Sequence, residues 1–203
     1  MGSVHAPFPG RKLAVEGSTS PFRSICRRGI IVSVDQIRFH PLLHDDARQQ
    51  ITDLFCCDTV DTSSRPGVAS AFSSLRLDPE QLLACGQFET GTYHRIEIAA
   101  TDDWVLLALF WADCSTEIHD HDESECGFQV LKGRLEESRY AVTAGCKVRE
   151  IARRQLEEGK PVSSNKRAIH CLQTFPGEEA MSLHAYCPVL DCESMNVFEI
   201  DKA

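Results

Sequence analysis

"EIHDHDESECGFQVLKGRLEESRY", residues 117–140, sets two histidines one residue apart, follows them with acids and a cysteine, and then runs through apolar and alternating stretches divided by Gly133. Successive side chains of an extended strand point to opposite faces, so His119 and His121 share one face and Asp120 takes the other. Two imidazoles at this spacing beside a turn point to a metal; an acidic surface loop that happens to hold histidines is the competing reading. The same strand character extends to both sides. "TYHRIEIAA" (92–100), "WVLLALFWA" (104–112), "HCLQTF" (170–175) and "AMSLHAYCPVL" (180–190) are short apolar or alternating runs between turn residues, so the carboxyl-terminal two-thirds is expected to be mostly β. One long open sheet would leave bare edges, and closure into a small barrel or two-sheet sandwich removes them. "VREIARRQLEEGKPVSSN" (148–165) reads as an excursion of charged strands or loop, with Arg153 and Arg154 on its exposed face.

Ahead of the strands, "DQIRFHPLLHDDARQQITDLFCC" (35–57) spaces apolar residues at three and four around the break at Pro41, which predicts one or two short helices. "SSRPGVASAF" (63–72) reads as a loop. "LDPEQLLACGQF" (77–88) predicts a helix capped by Asp78, with Pro79 in its first turn and Gly86 closing it. His40 and His44 are four apart, but Pro41 spoils the turn that would let them ligate together, so they read as surface histidines.

A chain of 203 residues suits one domain, and 42% apolar with 25% charged residues makes it a globular one. The net charge of -9 argues against a nucleic-acid partner, which needs clustered cations. Residues 1–30 differ: Arg11, Lys12, Arg23, Arg27 and Arg28 stand against the single acid Glu16. They are expected to form a flexible basic arm, with residues 31–203 as one domain. The arm has no apolar run for a signal peptide or membrane span, and Ala6 stands where a myristoylation signal needs Ser or Thr. A cytoplasmic monomer with no membrane partner is the expectation; a weak likeness of the arm to an organelle transit peptide is the alternative. Ten cysteines without a C-x-x-C pair suggest free thiols in a reducing compartment, and adjacent Cys56 and Cys57 are badly placed to chelate one ion.

In "MSLHAYCP" (181–188), Ser182, His184 and Tyr186 alternate with Met181, Leu183 and Ala185. If the apolar side packs against helices or a second sheet, the polar side looks into the barrel, where hydroxyl and imidazole hydrogen-bond in series. A solvated face would more often carry Lys, Glu or Thr. His170 is a third histidine in a strand-like setting, and three neutral imidazoles leave a divalent ion its full charge and open positions for substrate and oxygen.

"IHDHDESECGFQVLKGRLEESRY" (118–140) resembles the first metal-binding motif of the cysteine dioxygenases, cupin-fold non-haem iron enzymes that oxidise a small thiol to a sulfinate. "AIHCLQ" (168–173) resembles their third-ligand strand, "SLHAYCP" (182–188) their Ser, His, Tyr strand, and "TYHRIEI" (92–98) their Tyr-x-Arg segment, so the likeness runs from about residue 75 to 195. It implies a mainly β cupin barrel, a double-stranded β-helix or jelly roll, behind short N-terminal helices. The implied activity is Fe(II)-dependent oxidation of L-cysteine with O2 to cysteine sulfinic acid. His119, His121 and His170 would hold the iron, Arg95 the substrate carboxylate with Tyr93 close to it. Cys126 falls where animal members form a thioether with the active-site tyrosine, here Tyr186, whose hydroxyl Ser182 and His184 would position. Another carboxylated thiol, such as 3-mercaptopropionate or mercaptosuccinate, and a non-catalytic metal-binding sensor are the alternatives.

Many cupins add a glutamate ligand, and Glu123 and Glu125 are near. Counting back from Gly133 puts Cys126 at that position instead, which favours three histidines and leaves the acids on a solvated turn. The chain departs from the family after Tyr186, where Cys187, Pro188 and Val189 replace the usual Ser-Pro-Pro.

Overall fold

A computed structural model describes residues 36–55, 75–164, 167–190 and 195–202. The basic arm expected over 1–30, the loop expected over 63–72 and the Cys56, Cys57 pair lie outside the described residues. The strands are β1 (Arg38–Phe39), β2 (Thr92–Ala100), β3 (Val105–Ala112), β4 (Ile118–His119), β5 (Glu125–Lys132), β6 (Arg134–Ala144), β7 (Lys147–Glu157), β8 (Pro161–Ser164), β9 (Ile169–Gln173), β10 (Glu179–Cys187) and β11 (Val197–Ile200). They make a mainly β, cupin-type double-stranded β-helix. One sheet has the order β1-β2-β3-β10-β5-β8, and the other, β11-β4-β9-β6-β7, closes on itself through the parallel pairing of β11 with β7. Closure removes the free edges of this second sheet, while the first keeps β1 and β8 as its edges.

Two apolar layers explain the two kinds of sequence pattern. Between the sheets, Trp111, Phe128 and Val130 meet Leu135, Leu156 and Leu172. On the other face of the first sheet, Ile98, Leu106, Phe110, Met181 and Leu183 pack with Ile51 and Leu82 from helices α1 (Asp45–Phe55) and α2 (Pro79–Leu83). Strand β3 is covered on both faces, which is why its run is apolar without alternation. Strand β10 does alternate: Met181, Leu183 and Ala185 face the helices, while Ser182, His184 and Tyr186 occupy the interior.

The short helices differ from the expectation at their ends. The Asp78 carboxylate accepts a hydrogen bond from Glu80 N at 3.0 Å, and Pro79 fills a first-turn position whose N–H has no helical acceptor. The cap at the far end is Ala84 rather than Gly86. A Cβ on Gly86 would lie 2.4 Å from the Phe110 ring, so the glycine serves close packing on β3. Upstream, the helical reading of 35–57 holds only from Asp45. Arg38 and Phe39 instead pair with Ala100 and Ala99, and His40 N donates to Ile98 O at 2.8 Å. The charged excursion expected over 148–165 is strand: most of it is β7, largely exposed and paired with β6 in a long hairpin, and 161–164 form β8. Among the described residues no helix is long and apolar enough to cross a membrane.

Candidate metal centre

His119 ends β4, where it pairs with His170 on β9 and with Val197 on β11. His121 follows two residues later, across a turn held by Asp120. One Asp120 oxygen accepts from Asp122 N and Asn196 N, at 3.2 and 3.1 Å, and the other from Asn196 Nδ2 at 2.9 Å. The loop between the two histidines is thereby tied to the strand that closes the second sheet. The three imidazoles come together: one ring nitrogen from each of His119, His121 and His170 lies within 4.8 Å of the others. Among the described residues this is the one cluster of metal-ligating side chains, and it includes neither His40, His44 nor any acid.

The hydrogen bonds orient the rings. His119 Nδ1 donates to Glu117 O at 2.8 Å and His170 Nδ1 to Glu137 Oε1 at 3.0 Å. A carbonyl and a carboxylate accept only, so each Nδ1 carries the proton and each Nε2 keeps its lone pair for the centre. His121 Nε2 and His170 Nε2 approach to 3.1 Å. Nitrogens about 2.0–2.1 Å from one ion stand about 3 Å apart when their bonds meet at a right angle. Burial, and then the charge of His170, pull His119 down to about 3, so its ring is neutral as a ligand must be. Three buried imidazoles converging on one point are a donor set that suits a borderline divalent transition-metal ion.

A second chain of hydrogen bonds runs along β10. Trp111 Nε1, which only donates, is 2.8 Å from Ser182 Oγ. The Ser182 hydroxyl, whose proton is not used by that contact, lies 2.9 Å from His184 Nε2, and when it donates there the His184 proton sits on Nδ1, facing Tyr186 Oη at 3.4 Å. Phe128 stacks on the His184 ring at 4.8 Å. Burial foremost, with smaller contributions from His170 and from the Arg95 charge, holds His184 well below its ordinary value, so its ring is neutral. Tyr186 meets the edge of His121 at 5.8 Å and is the cross-strand partner of Cys126. Burial pushes the Cys126 thiol up, against the lowering effect of its hydrogen bond with Tyr186, so it stays protonated.

Arg95 and Tyr93, two apart on β2, share one face. Arg95 Nη2 donates to Tyr93 Oη at 2.7 Å, the guanidinium sits 5.0 Å above the Tyr93 ring, and that ring stacks on Trp111 at 4.8 Å. The Arg95 charge adds, after burial, to the lowering of both His119 and His184.

The acids split. Asp122 and Glu123 lie on the turn, but Glu125 opens β5 opposite Cys187 and is half-buried, because strand pairing extends further back than the acidic run suggested. Two buried residues near the centre escape the sequence reading, Trp111 and Glu137. Arg154 lies on the exposed face as expected, and from there its guanidinium binds the buried Glu137 carboxylate at 2.6 Å. The period-two spacing of Leu135 and Glu137 carries the signal that this acid faces inward.

The family model for cysteine dioxygenase type I matches residues 39–199. Human cysteine dioxygenase type 1 is 28% identical over 145 residues, covering 68% of this chain and 70% of that protein. Among solved structures, a Klebsiella pneumoniae protein with a double-stranded β-helix domain is 14% identical, with a TM-score of 0.46 over 57% of this chain and 87% of its own. A Thermus thermophilus protein is 13% identical, with a TM-score of 0.45 over 53% and 94%.

Proposed function

The chain belongs to the cysteine dioxygenase type I family, and we propose that it is an Fe(II)-dependent thiol dioxygenase converting L-cysteine and O2 to cysteine sulfinic acid. The convergence of the His119, His121 and His170 nitrogens carries this reading. The overall reaction is balanced as R–SH + O2 giving R–SO2H, with both oxygen atoms ending on sulfur. Bound through the three Nε2 atoms, iron(II) would stabilise the substrate thiolate at neutral pH and supply the redox chemistry that oxygen requires.

The remaining tasks fall to this chain's own side chains. Arg95 pairs with the substrate carboxylate through parallel hydrogen bonds, and Tyr93 holds the guanidinium in place. The Trp111, Ser182, His184 series presents Nδ1–H to the Tyr186 oxygen, so the tyrosine's own proton is left to donate toward substrate. The buried Phe128 and Trp111 keep bulk water from this end of the barrel.

Oxygen uptake by the iron-loaded protein, with cysteine, 3-mercaptopropionate, mercaptosuccinate and cysteamine supplied separately, tests the proposal. Uptake is expected with cysteine and little with cysteamine. Absence of uptake with every carboxylated thiol would turn the reading into that of a metal-binding sensor. The replacement of Ser-Pro-Pro by Cys187, Pro188 and Val189 beside the tyrosine favours including the longer carboxylated thiols.

Cys126 opposite Tyr186 also sets up the thioether of the animal enzymes. Joining Cys126 Sγ to a Tyr186 ring carbon breaks the S–H bond and one ring C–H bond, and O2 takes up the two hydrogens and their electrons as H2O2. Intact mass after turnover is therefore expected to show a species lighter by two hydrogens, which Cys126→Ser abolishes. An unchanged mass after prolonged turnover would rule the crosslink out.

A further inference from the structure

His119 and His170 are oriented by unlike partners, and the difference points beyond the ligands. His119 Nδ1 donates to a neutral backbone carbonyl, whereas His170 Nδ1 donates to the carboxylate of Glu137, whose side chain is 1% exposed. Strand register explains the arrangement: β6 lies between β9 and β7, so Glu137 stands opposite Leu172, two residues from His170, on one side and opposite Arg154 on the other. The two carboxylate oxygens divide the work. Oε1 accepts from His170, and Oε2 accepts from Arg154 Nε at 2.6 Å and is ion-paired with Nη2 at 2.5 Å. Arg154 itself is 46% exposed, so a buried ring at the centre is connected through one acid to the solvent face of the β6–β7 hairpin.

Resting on the metal-centre reading above, we propose that Glu137 and Arg154 are positioning residues that hold His170 as a stronger donor than His119, whose ring rests on a neutral carbonyl. A carboxylate on the far nitrogen of a ligating imidazole fixes its tautomer and ring plane and raises its basicity. A carboxylate buried with one neutral partner is costly, and the guanidinium on Oε2 supplies the second, charge-assisted contact that keeps it ionised and stops it rotating away from His170. The adjacent Arg153 has the same charge but is engaged elsewhere, with Glu136 and Glu150. Proximity of positive charge alone therefore predicts equal effects at 153 and 154; a positioned relay predicts an effect only at 154.

The test is titration of the metal-free protein with Co(II), reading affinity by chelator competition and ligand geometry by the visible absorption bands. Glu137→Gln is expected to weaken binding by about 10–100-fold with altered bands, the usual cost of losing such a partner. Arg154→Gln should weaken it severalfold, Arg154→Lys should restore part of the loss, and Arg153→Gln should leave affinity and bands unchanged. In the Glu137→Gln background, Arg154→Gln should add nothing, because the two act through one contact. Wild-type cobalt affinity and spectrum in Glu137→Gln would overturn the inference, as would equal losses from Arg153→Gln and Arg154→Gln. If Glu137→Gln fails to fold, the half-exposed Arg154 variants decide alone. Failure of the wild-type protein to bind cobalt is a different result, and it overturns the metal centre together with the inference.

Discussion

Iron binding by His121→Ala is expected to fall below stoichiometric, and thiol-dependent oxygen uptake to drop by more than about a hundredfold, the upper range found when only an outer partner of a ligand is lost. His121 contributes the nitrogen that approaches His170 Nε2 to 3.1 Å, and its ring edge lies against Tyr186 at 5.8 Å, so it joins the proposed metal position to the proposed donor. Two imidazoles remain after the substitution, and neither Asp122 nor Glu125 belongs to the cluster that would have to replace the third. The truncation also empties a buried position. A loss of about 0.5–3 kcal/mol is ordinary for such a change, and the thermal midpoint of the metal-free variant separates that from the loss of metal. A folded His121→Ala protein that holds one iron at wild-type affinity and turns over cysteine would remove this histidine from the centre.

How much of this centre was legible depended on whether neighbours along the chain or neighbours across strands did the work. His119 with His121, and Ser182 with His184 and Tyr186, are spaced by two, so one strand's geometry aligns each group and the sequence alone exposes it. Arg95 and Tyr93 follow the same rule. Glu137 is 33 residues from His170 and 17 from Arg154, within a charged run whose composition reads as solvated; only the β9-β6-β7 order brings the three together. Trp111 was hidden for the opposite reason. Its run is apolar throughout because both faces of β3 are covered, so no period marks the tryptophan as the one whose N–H meets Ser182. Strand β1 falls inside the segment whose spacing predicts helix, because two residues carry no periodicity of their own and pairing with Ala99 and Ala100 decides their conformation.

Arg95→Gln is expected to lower kcat/KM for cysteine by roughly ten- to a hundredfold, mostly through KM, because one charge-assisted contact is worth about 1.5–3 kcal/mol. The same substitution should leave the slow reaction with cysteamine, which has no carboxylate, almost unchanged. The contrast between the two thiols is what isolates the contact. Arg95 also donates to Tyr93 and raises the local potential at His119 and His184, so a loss common to both substrates would trace to that background role. Arg95→Lys sharpens the distinction: it keeps the charge near the imidazoles but replaces a planar fork by a single point donor. Recovery of cysteine turnover by lysine to near the wild-type level would mean that long-range attraction of the anion suffices. Retention of most of the loss would mean that two parallel hydrogen bonds orient the thiol for oxidation. Equal penalties for cysteine and cysteamine in both variants would place Arg95 outside the substrate's reach and leave the carboxylate preference to some other cation.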